Sequence, residues 1–340
     1  MDERHTPRAP RVHQAVSQDR PAPPTTPAAS APVAATPGAA APALATPAVA
    51  APTGALELPH AVGGPGTGLG ARIRGLGGIV AAAALAPVYR LYGARLRAEV
   101  LARPVPHHVA LIMDGNRRWA RQVGFASPRA GHEVGADKAI ELLDWCAVIG
   151  INEVTLWALS LENLERSPEE VEAITEIAAT TLDALAARDK VRRLEMSLRI
   201  IGRRELLPDR LREAVERAEA ETRGRRGLAV SLALGYSGRD ELVEASRAAV
   251  RELVAEGTAP GTLAEALTAE RLAAHLYTRG SSDPDLIIRT SGEVRLSGFL
   301  PWQSAYSEFY FCEAYWPAFR EIDFLRAIRT YQLRARRFGR

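Results

Sequence analysis

The chain has 340 residues and a formal net charge of +3 at pH 7, with a pI of about 9.0. That balance favours anionic partners, but no stacking aromatics are interleaved with the basic residues and no RNA- or DNA-binding signature accompanies them, so no nucleic-acid partner is expected. The two cysteines, Cys146 and Cys312, stand far apart among apolar residues. They read as buried thiols of a reducing compartment rather than as a disulfide or a metal pair.

Residues 1–70 are mostly Ala, Pro, Thr and Gly; too little apolar surface is available there to offset the entropy of ordering, so a disordered extension is expected. The opening "MDERHTPRAPRVHQ" has no apolar run of the kind a secretory signal needs. The stretch "GGIVAAAALAP" falls short of the ~20 residues that cross a bilayer, and Pro87 ends it. Residues 71–105 read as a linker and an amphipathic helix, "VYRLYGARLRAEVLA", in which Val88, Leu91, Leu96 and Val100 alternate with arginines. This helix is expected to pack against the following domain, with a peripheral membrane contact as the second reading. The expected location is cytoplasmic, at most against the inner face of a membrane. Residues 106–340 are long enough for one domain with a full core.

Along that domain a strand is expected at His108 to Met113, then a turn at Gly115 and a short basic helix. A helix follows from about Ala130 to Ile149, with Ile140, Leu143, Cys146 and Ala147 on one face and Gly150 after its end. The strand "EVTLWALS" comes next. Ser167, Pro168, Glu169 and Glu170 then supply an N-cap, a first-position proline and two first-turn acids for a long helix reaching about Lys190. Further on lie a strand "MSLRIIG", a helix from Pro208 to about Thr222, a strand "GLAVSLALGY" and a helix from Arg239 to about Ala255. A helix from Ala269 to Tyr277, the strands "DLIIRTSG" and "EFYFC", and a terminal helix from Phe319 complete the order. Strands alternating with helices predict an α/β fold: a single domain with a mostly parallel six-stranded sheet flanked by helices.

In open parallel sheets, ligands bind beyond the carboxyl ends of the strands. Here five strands in turn end in residues able to hold a phosphorylated ligand: Asp114-Gly-Asn, Ser160-Leu-Glu-Asn163, Gly202-Arg-Arg204, Gly235 to Arg239, and Arg289 to Arg295. At the first of these, a lone carboxylate is followed by Gly115, Asn116, Arg117, Arg118 and Arg121. Arginines suit an anion at a strand–turn–helix junction, and one carboxylate among them suits a divalent cation shared with phosphate.

From about Pro87 onward the chain resembles the cis-prenyltransferases, the family of undecaprenyl diphosphate synthase. The matching motifs are "HVALIMDGNRRWA", "GH" at Gly131-His132, "LWALSLENLER", "RIIG", "LALGYSGRDELV", "DPDLIIRTSGEVRLSGFLPWQSAYSEFYF" and "RRFGR". The resemblance implies condensation of isopentenyl diphosphate with an allylic diphosphate, with Mg²⁺, forming a cis double bond and releasing diphosphate. It implies that Asp114 holds Mg²⁺, supported by Glu308. The allylic diphosphate would meet the backbone from Gly115 through Asn116 and Arg117 to Arg118, the Arg118 side chain and His132. Trp119 would serve as core or tunnel wall. Arg129 corresponds less directly, because the spacing from Asp114 to His132 is one residue longer than in the best-known bacterial members. Arg289, Arg295, Leu296 and Ser297 match the isopentenyl diphosphate pocket. Ser160, Leu161, Glu162, Asn163, Leu164 and Arg166 match the segment between the two substrates. The expected role of Asn163 is to orient, a neutral amide being too weak a base, while a diphosphate oxygen takes the proton. Arg337 and Gly339 match a C-terminal motif that reaches across a homodimer to the partner's diphosphate site.

The sequence departs from the family pattern at Leu164, where long-chain members commonly carry Trp, and at Val294, where many have His. Leu164, "YRLYGARLR" and "TSGEVRLSGFLPWQSAYSE" are most similar to the actinobacterial short-chain branch that makes a Z,E-farnesyl diphosphate, although Ala158 is small where that branch tends to place a bulkier tunnel residue. The alternatives are a long-chain synthase for the cell-wall lipid carrier and a noncatalytic partner subunit of the same fold.

Overall fold

Strand β1 (His108–Ile112) turns Val109 and Leu111 to one face of the sheet and Ala110 and Ile112 to the other, and all four are buried, in two separate apolar clusters. A strand buried on both faces belongs in the interior of a parallel sheet. In the computed structural model, which describes residues 89–334 except Ala187, β1 pairs with β2 (Glu153–Ser160) on one side and β5 (Leu286–Arg289) on the other. With β3 (Ser197–Ile201), β4 (Ala229–Tyr236) and β6 (Glu308–Phe311), the sheet has the order β3-β4-β2-β1-β5-β6, every pairing parallel. The expected extension 1–70, Val88, Arg337 and Gly339 lie outside the described residues.

The helix α1 (89–101) buries Leu96 and Val100, while Leu91 is 73% exposed. It is fastened to α10 (Glu321–Leu333), where the Gln332 amide donates to the Val100 carbonyl at 2.9 Å and Arg326 lies over the Tyr92 ring at 5.6 Å. Among the described residues no helix is long and apolar enough to cross a membrane. After β1 come the short α2 (Asn116–Gln122) and α3 (Pro128–Ile149), whose Ser127 side chain accepts the Arg129 N–H at the N-terminus. Next is α4 (Pro168–Ala186), which stops short of the expected Lys190. A separate helix, α5 (Asp189–Arg193), starts with Asp189 in its first turn, where the helix dipole favours an acid.

Beyond β3, α6 (Asp209–Thr222) leads to β4, and α7 (Gly238–Ala255) follows it. A short α8 (Leu263–Ala266), not expected from the pattern, precedes α9 (Ala269–Ala274). The last of these ends before Tyr277, because the Tyr277 N–H donates to the buried Glu241 carboxylate at 2.9 Å instead of extending the helix. Glu241 also accepts from the Tyr236 hydroxyl at 2.6 Å and from the Gln303 amide at 3.3 Å. Burial pushes its carboxyl up against those hydrogen bonds.

This knot seats the loop after β5 on α7. The Gly238 N–H donates to the Gly298 carbonyl at 3.1 Å, and Phe299 and Leu300 are fully buried beneath the sheet. A Cβ at position 238 would lie 2.2 Å from Pro301 Cδ and 2.3 Å from the Gly298 oxygen. Gly238→Ala is therefore expected to lower stability by roughly 1–3 kcal/mol, as overpacking does, in urea unfolding of the full chain. An unchanged unfolding midpoint would show that the loop is not held by this contact.

Candidate active site

The sheet order changes direction around β1: the chain lays β2, then the edge strand β3, then β4 between them on one side, and returns to lay β5 and β6 on the other. Such a switch opens a crevice at the carboxyl ends of the central strands. A polar cleft of about 520 Å³ occupies that place, lined from the ends of β1, β2 and β5 and by α2.

Asp114 lies at its centre. The Thr290 hydroxyl accepts the Asp114 N–H at 3.0 Å and donates to its carbonyl at 2.7 Å, so β5 fixes the backbone that leaves β1. The Asp114 carboxylate accepts from Arg289 Nη2 at 2.9 Å and lies 3.2 Å from Arg118 Nη2. Burial alone would push its carboxyl up, but the Arg289 hydrogen bond and the two guanidinium charges prevail and hold it below the usual carboxylate range. Arg289 is only 4% exposed, and its remaining contacts go to the Ser297 hydroxyl at 2.8 Å and the Arg295 carbonyl. Arg118 also donates to Ser291 Oγ at 2.7 Å and Glu293 Oε1 at 2.9 Å. Gly115 makes the turn at φ 105°, where a Cβ would come within 2.6 Å of the Tyr315 ring.

The β2 rim is shaped by register shifts against β4 between Trp157 and Leu159 and again before Ser160. A bulge of this kind re-aims side chains beside a site, and the extra residue is Ala158. Ser160 and Asn163 then form a reciprocal cap: the Asn163 N–H donates to Ser160 Oγ and the Ser160 N–H to Asn163 Oδ1, both at 3.2 Å. Glu170 braces two arginines of the cleft, Arg166 at 2.7 Å and Arg117 at 3.2 Å.

Beside the polar cleft an apolar cavity of about 110 Å³ lies between α3, α4, β2 and β4, lined by residues such as Ala139, Leu143, Ile177 and Leu182. Met113, Asn116, His132 and Ala158 border both spaces. His132 Nε2 is buried without a hydrogen-bond partner among the described residues. Its imidazole is pushed down to about 4, by burial first and then by the charges of Arg166 and Arg117.

Of the expected site residues, the cleft gathers Asp114, Gly115, Asn116, Arg117, Arg118, His132, Ser160, Asn163, Arg166, Arg289, Arg295 and Ser297. Trp119 packs on Phe125, ring centroids 5.7 Å apart, and Arg129 is exposed and paired with Glu133. Leu161 and Glu162 form the capped turn without lining the cleft. Leu164 packs against the main core and Leu296 against the core on the other face. Within one chain Glu308 is not brought to the cleft. Register sets it level with Leu286 and so with Val109, at the amino ends of the strands, roughly 16 Å along the strand direction from Asp114. There it pairs with Arg334, and within one chain the two carboxylates do not share an ion.

The strand ends of β3 and β4 correct the expectation that five strand ends share one site. Gly202 to Arg204 and Gly235 to Arg239 do not line the cleft, because β4 and β3 lie beyond β2. Sequence reading also passed over the braces Glu170 and Glu293, and over Trp157, which lines the cleft while stacking on Phe299 at 5.1 Å. A glutamate four residues after Arg166 and one two before Arg295 were the available signals.

Among the described residues no cluster of three or more metal-ligating side chains occurs. The donor set nonetheless fits Mg²⁺ bound together with a diphosphate, since that ion is commonly held by one or two carboxylates plus phosphate oxygens and water. Asp114, ionised and bordering the cleft, is the carboxylate placed for it.

Residues 112–339 match the family model described as putative undecaprenyl diphosphate synthase, and the chain belongs to this prenyltransferase family. It is 51% identical over 254 residues to an isoprenyl transferase of Thermus thermophilus, spanning 75% of this chain and 96% of that protein. To a (2Z,6E)-farnesyl diphosphate synthase of Thermobifida fusca it is 52% identical over 253 residues, 74% of this chain and 97% of the relative. Among solved structures, lavandulyl diphosphate synthase from Lavandula x intermedia in complex with dimethylallyl diphosphate is similar, with a TM-score of 0.64 and 33% identity. That match covers 71% of this chain and 100% of the other.

The His132 environment sets a pH dependence. Its folded pKa lies below the ordinary 6.5, so folding is unaffected by this group above pH 6.5. As pH falls toward 4, only the unfolded chain gains the proton and stability drops, on the order of 3 kcal/mol when the shift is complete. His132→Gln is expected to lose less stability than wild type between those pH values. Nuclear magnetic resonance of the ring should show titration near 4 in the free protein and higher with inorganic diphosphate in the cleft. Titration near 6.5 in the free protein would contradict the assignment.

Proposed function

We propose that this chain is a cis-prenyltransferase that condenses isopentenyl diphosphate with an allylic diphosphate to a short Z-polyprenyl diphosphate of the Z,E-farnesyl type. The observation that carries the reading is the juxtaposition of a polar cleft centred on Asp114, Arg118 and Arg289 with an apolar cavity that opens from it past Ala158 and His132. A molecule with a diphosphate head and a hydrocarbon tail matches both spaces at once. The short-chain assignment is supported by the named product of the Thermobifida fusca relative.

In this reading Arg118, Arg117 and the backbone after Gly115 bind the allylic diphosphate, and His132 offers its unpartnered Nε2 at the mouth of the tail cavity. Mg²⁺ held by Asp114 would neutralise the diphosphate as it leaves. Arg295 and Ser297 bind isopentenyl diphosphate, and Arg289 acts from the floor by fixing Ser297 and Asp114. The allylic carbon–oxygen bond breaks, the isopentenyl double bond supplies the new carbon–carbon bond, and the proton lost from the isopentenyl unit passes to a diphosphate oxygen. Asn163 orients, since its amide oxygen already accepts the Ser160 N–H. The homodimer, with Arg337 and Gly339 reaching the partner's site, is supported by the "RRFGR" motif alone. A cytoplasmic setting is supported by two buried free thiols, and contact of α1 with the inner membrane face by exposed Leu91.

Asp114→Ala is expected to lower turnover by about a hundred- to thousandfold or more, as loss of an electrostatic centre does, with the circular dichroism spectrum unchanged. Near-normal turnover, equally unaffected by EDTA, would rule out the metal role. Ala158→Leu narrows the passage between cleft and cavity, and insertion of that bulk costs ~1–3 kcal/mol. Chromatography of the products should show chains no longer than those of wild type. Longer products from the variant would place the tail elsewhere.

A further inference from the structure

The edge of the sheet opposite β6 carries a second cleft, of about 360 Å³, which shares no lining residue with the first. Arg199, Gly202 and Arg204 border it from the β3 side, and Tyr277 and Arg279 from the segment after α9. Arg199 stands in the middle of β3, in register with Ser231 and, through it, with Thr155. Arg199 is half-buried on this edge strand and makes no ion pair among the described residues, although Glu153 and Glu219 lie close enough to stabilise its charge. Its two Nη atoms donate to the Arg279 carbonyl and to Ser281 Oγ, each at 2.8 Å, and both acceptors are neutral.

Three guanidiniums and no carboxylate line the cleft, with Asp240 just outside it on the Tyr277 hydroxyl at 3.4 Å. Arg204 is matched by Glu219, at 2.6 and 2.8 Å. The exposed Arg279 has no side-chain partner among the described residues. Glu153, the other carboxylate within reach of Arg199, already accepts the Ser282 N–H at 3.1 Å and pairs with His107 at 3.3 Å. Burial first, joined by the charges of Arg279 and Arg204 and opposed by Glu153 and Glu219, holds the Arg199 guanidinium below its usual range. Concave walls, guanidiniums in excess of carboxylates and an aromatic side are the chemistry of a site for a compact, multiply charged oxyanion.

We propose that this cleft is a second anion site, in which Arg199, Arg204 and Arg279 hold the phosphate or diphosphate group of a small phosphorylated ligand. The proposal is independent of the catalytic reading, because no residue of the first cleft takes part.

The test is calorimetric titration of the full chain with inorganic diphosphate, and in parallel with inorganic phosphate, comparing wild type with Arg279→Gln, Arg279→Lys and Arg247→Gln. The Arg279 side chain has no hydrogen-bond or ion-pair partner among the described residues, so its variants should fold as wild type does. Arg247, an exposed arginine on α7 paired with Glu244, controls for general charge. Arg279→Gln should lose one diphosphate-binding event per chain, or weaken it about tenfold or more. Arg279→Lys should keep most of the binding, Arg247→Gln all of it, and turnover should be unchanged in Arg279→Gln. Arg199→Gln should lose the same event. Identical isotherms for wild type and Arg279→Gln would overturn the site, as would an equal loss in Arg247→Gln. Vesicles of phosphatidylglycerol form the last arm: binding to them that depends on Arg279, without binding of diphosphate, would assign the phosphate to a lipid headgroup and overturn the small-ligand assignment.

Discussion

A guanidinium that is 4% exposed is costly to bury without a carboxylate beside it, and Arg289 has one in Asp114 at 2.9 Å. This pair ties the end of β1 to the end of β5 across the switch in sheet order. Removing Asp114 leaves the buried Arg289 uncompensated, which for a pair partly open to solvent costs about 3 kcal/mol, the low end for buried pairs, whereas without Arg289 the carboxylate still has Arg118. The remaining contacts radiate from it. Arg289 sets the Ser297 hydroxyl, Asp114 draws in Arg118, and Arg118 engages Glu293 and Ser291. Thr290, fully buried, locks the backbone from which the carboxylate projects. The carboxylate is thereby kept ionised and aimed into the cleft before any ligand arrives, which is the preorganisation that electrostatic catalysis depends on.

Two spaces of opposite character meet at this centre, and local backbone geometry decides where they meet. The bulge in β2 brings Ala158 to the border, and a methyl group there leaves the passage to the apolar cavity open. His132 occupies the same border from α3 with a nitrogen that has no partner among the described residues and a neutral ring. A charged imidazole beside Arg166 and Arg117 would add repulsion, whereas a bound diphosphate would reverse the sign of that local field. Stacking of Trp157 on Phe299 connects the cleft to the buried knot around Glu241, so the loop carrying Ser297 is supported from both the sheet and α7.

Much of this was legible in the sequence because it is local. Apolar runs bounded by Gly, Pro and charged residues gave the six strands, and the Asp-Gly-Asn turn gave the centre of the cleft. What the sequence hid depends on pairing order and long-range capture. Five strand ends look equally suited to phosphate, yet β3 and β4 lie beyond β2, and Gly202 and Arg204 therefore line a different cleft. Glu308 follows an active-site motif closely in sequence, but a parallel strand starts at the far end of the sheet, so its first residue is placed away from Asp114. Tyr277 leaves its helical pattern because a buried carboxylate takes its N–H, a partner 36 residues distant that no periodicity reveals. Glu170 reads as a first-turn acid of its helix, and Glu293 as one residue of a strand end, until the arginines they brace are brought beside them.

The most direct test of the account is the reaction itself. The full chain, incubated in Mg²⁺ with labelled isopentenyl diphosphate and allylic diphosphates of several lengths, would be followed by chromatography and determination of double-bond geometry in the products. The account predicts condensation with at least one primer, a Z configuration at each new double bond and release of diphosphate in equal amount. A folded protein that condenses none of the primers, or that forms only E double bonds, would contradict it.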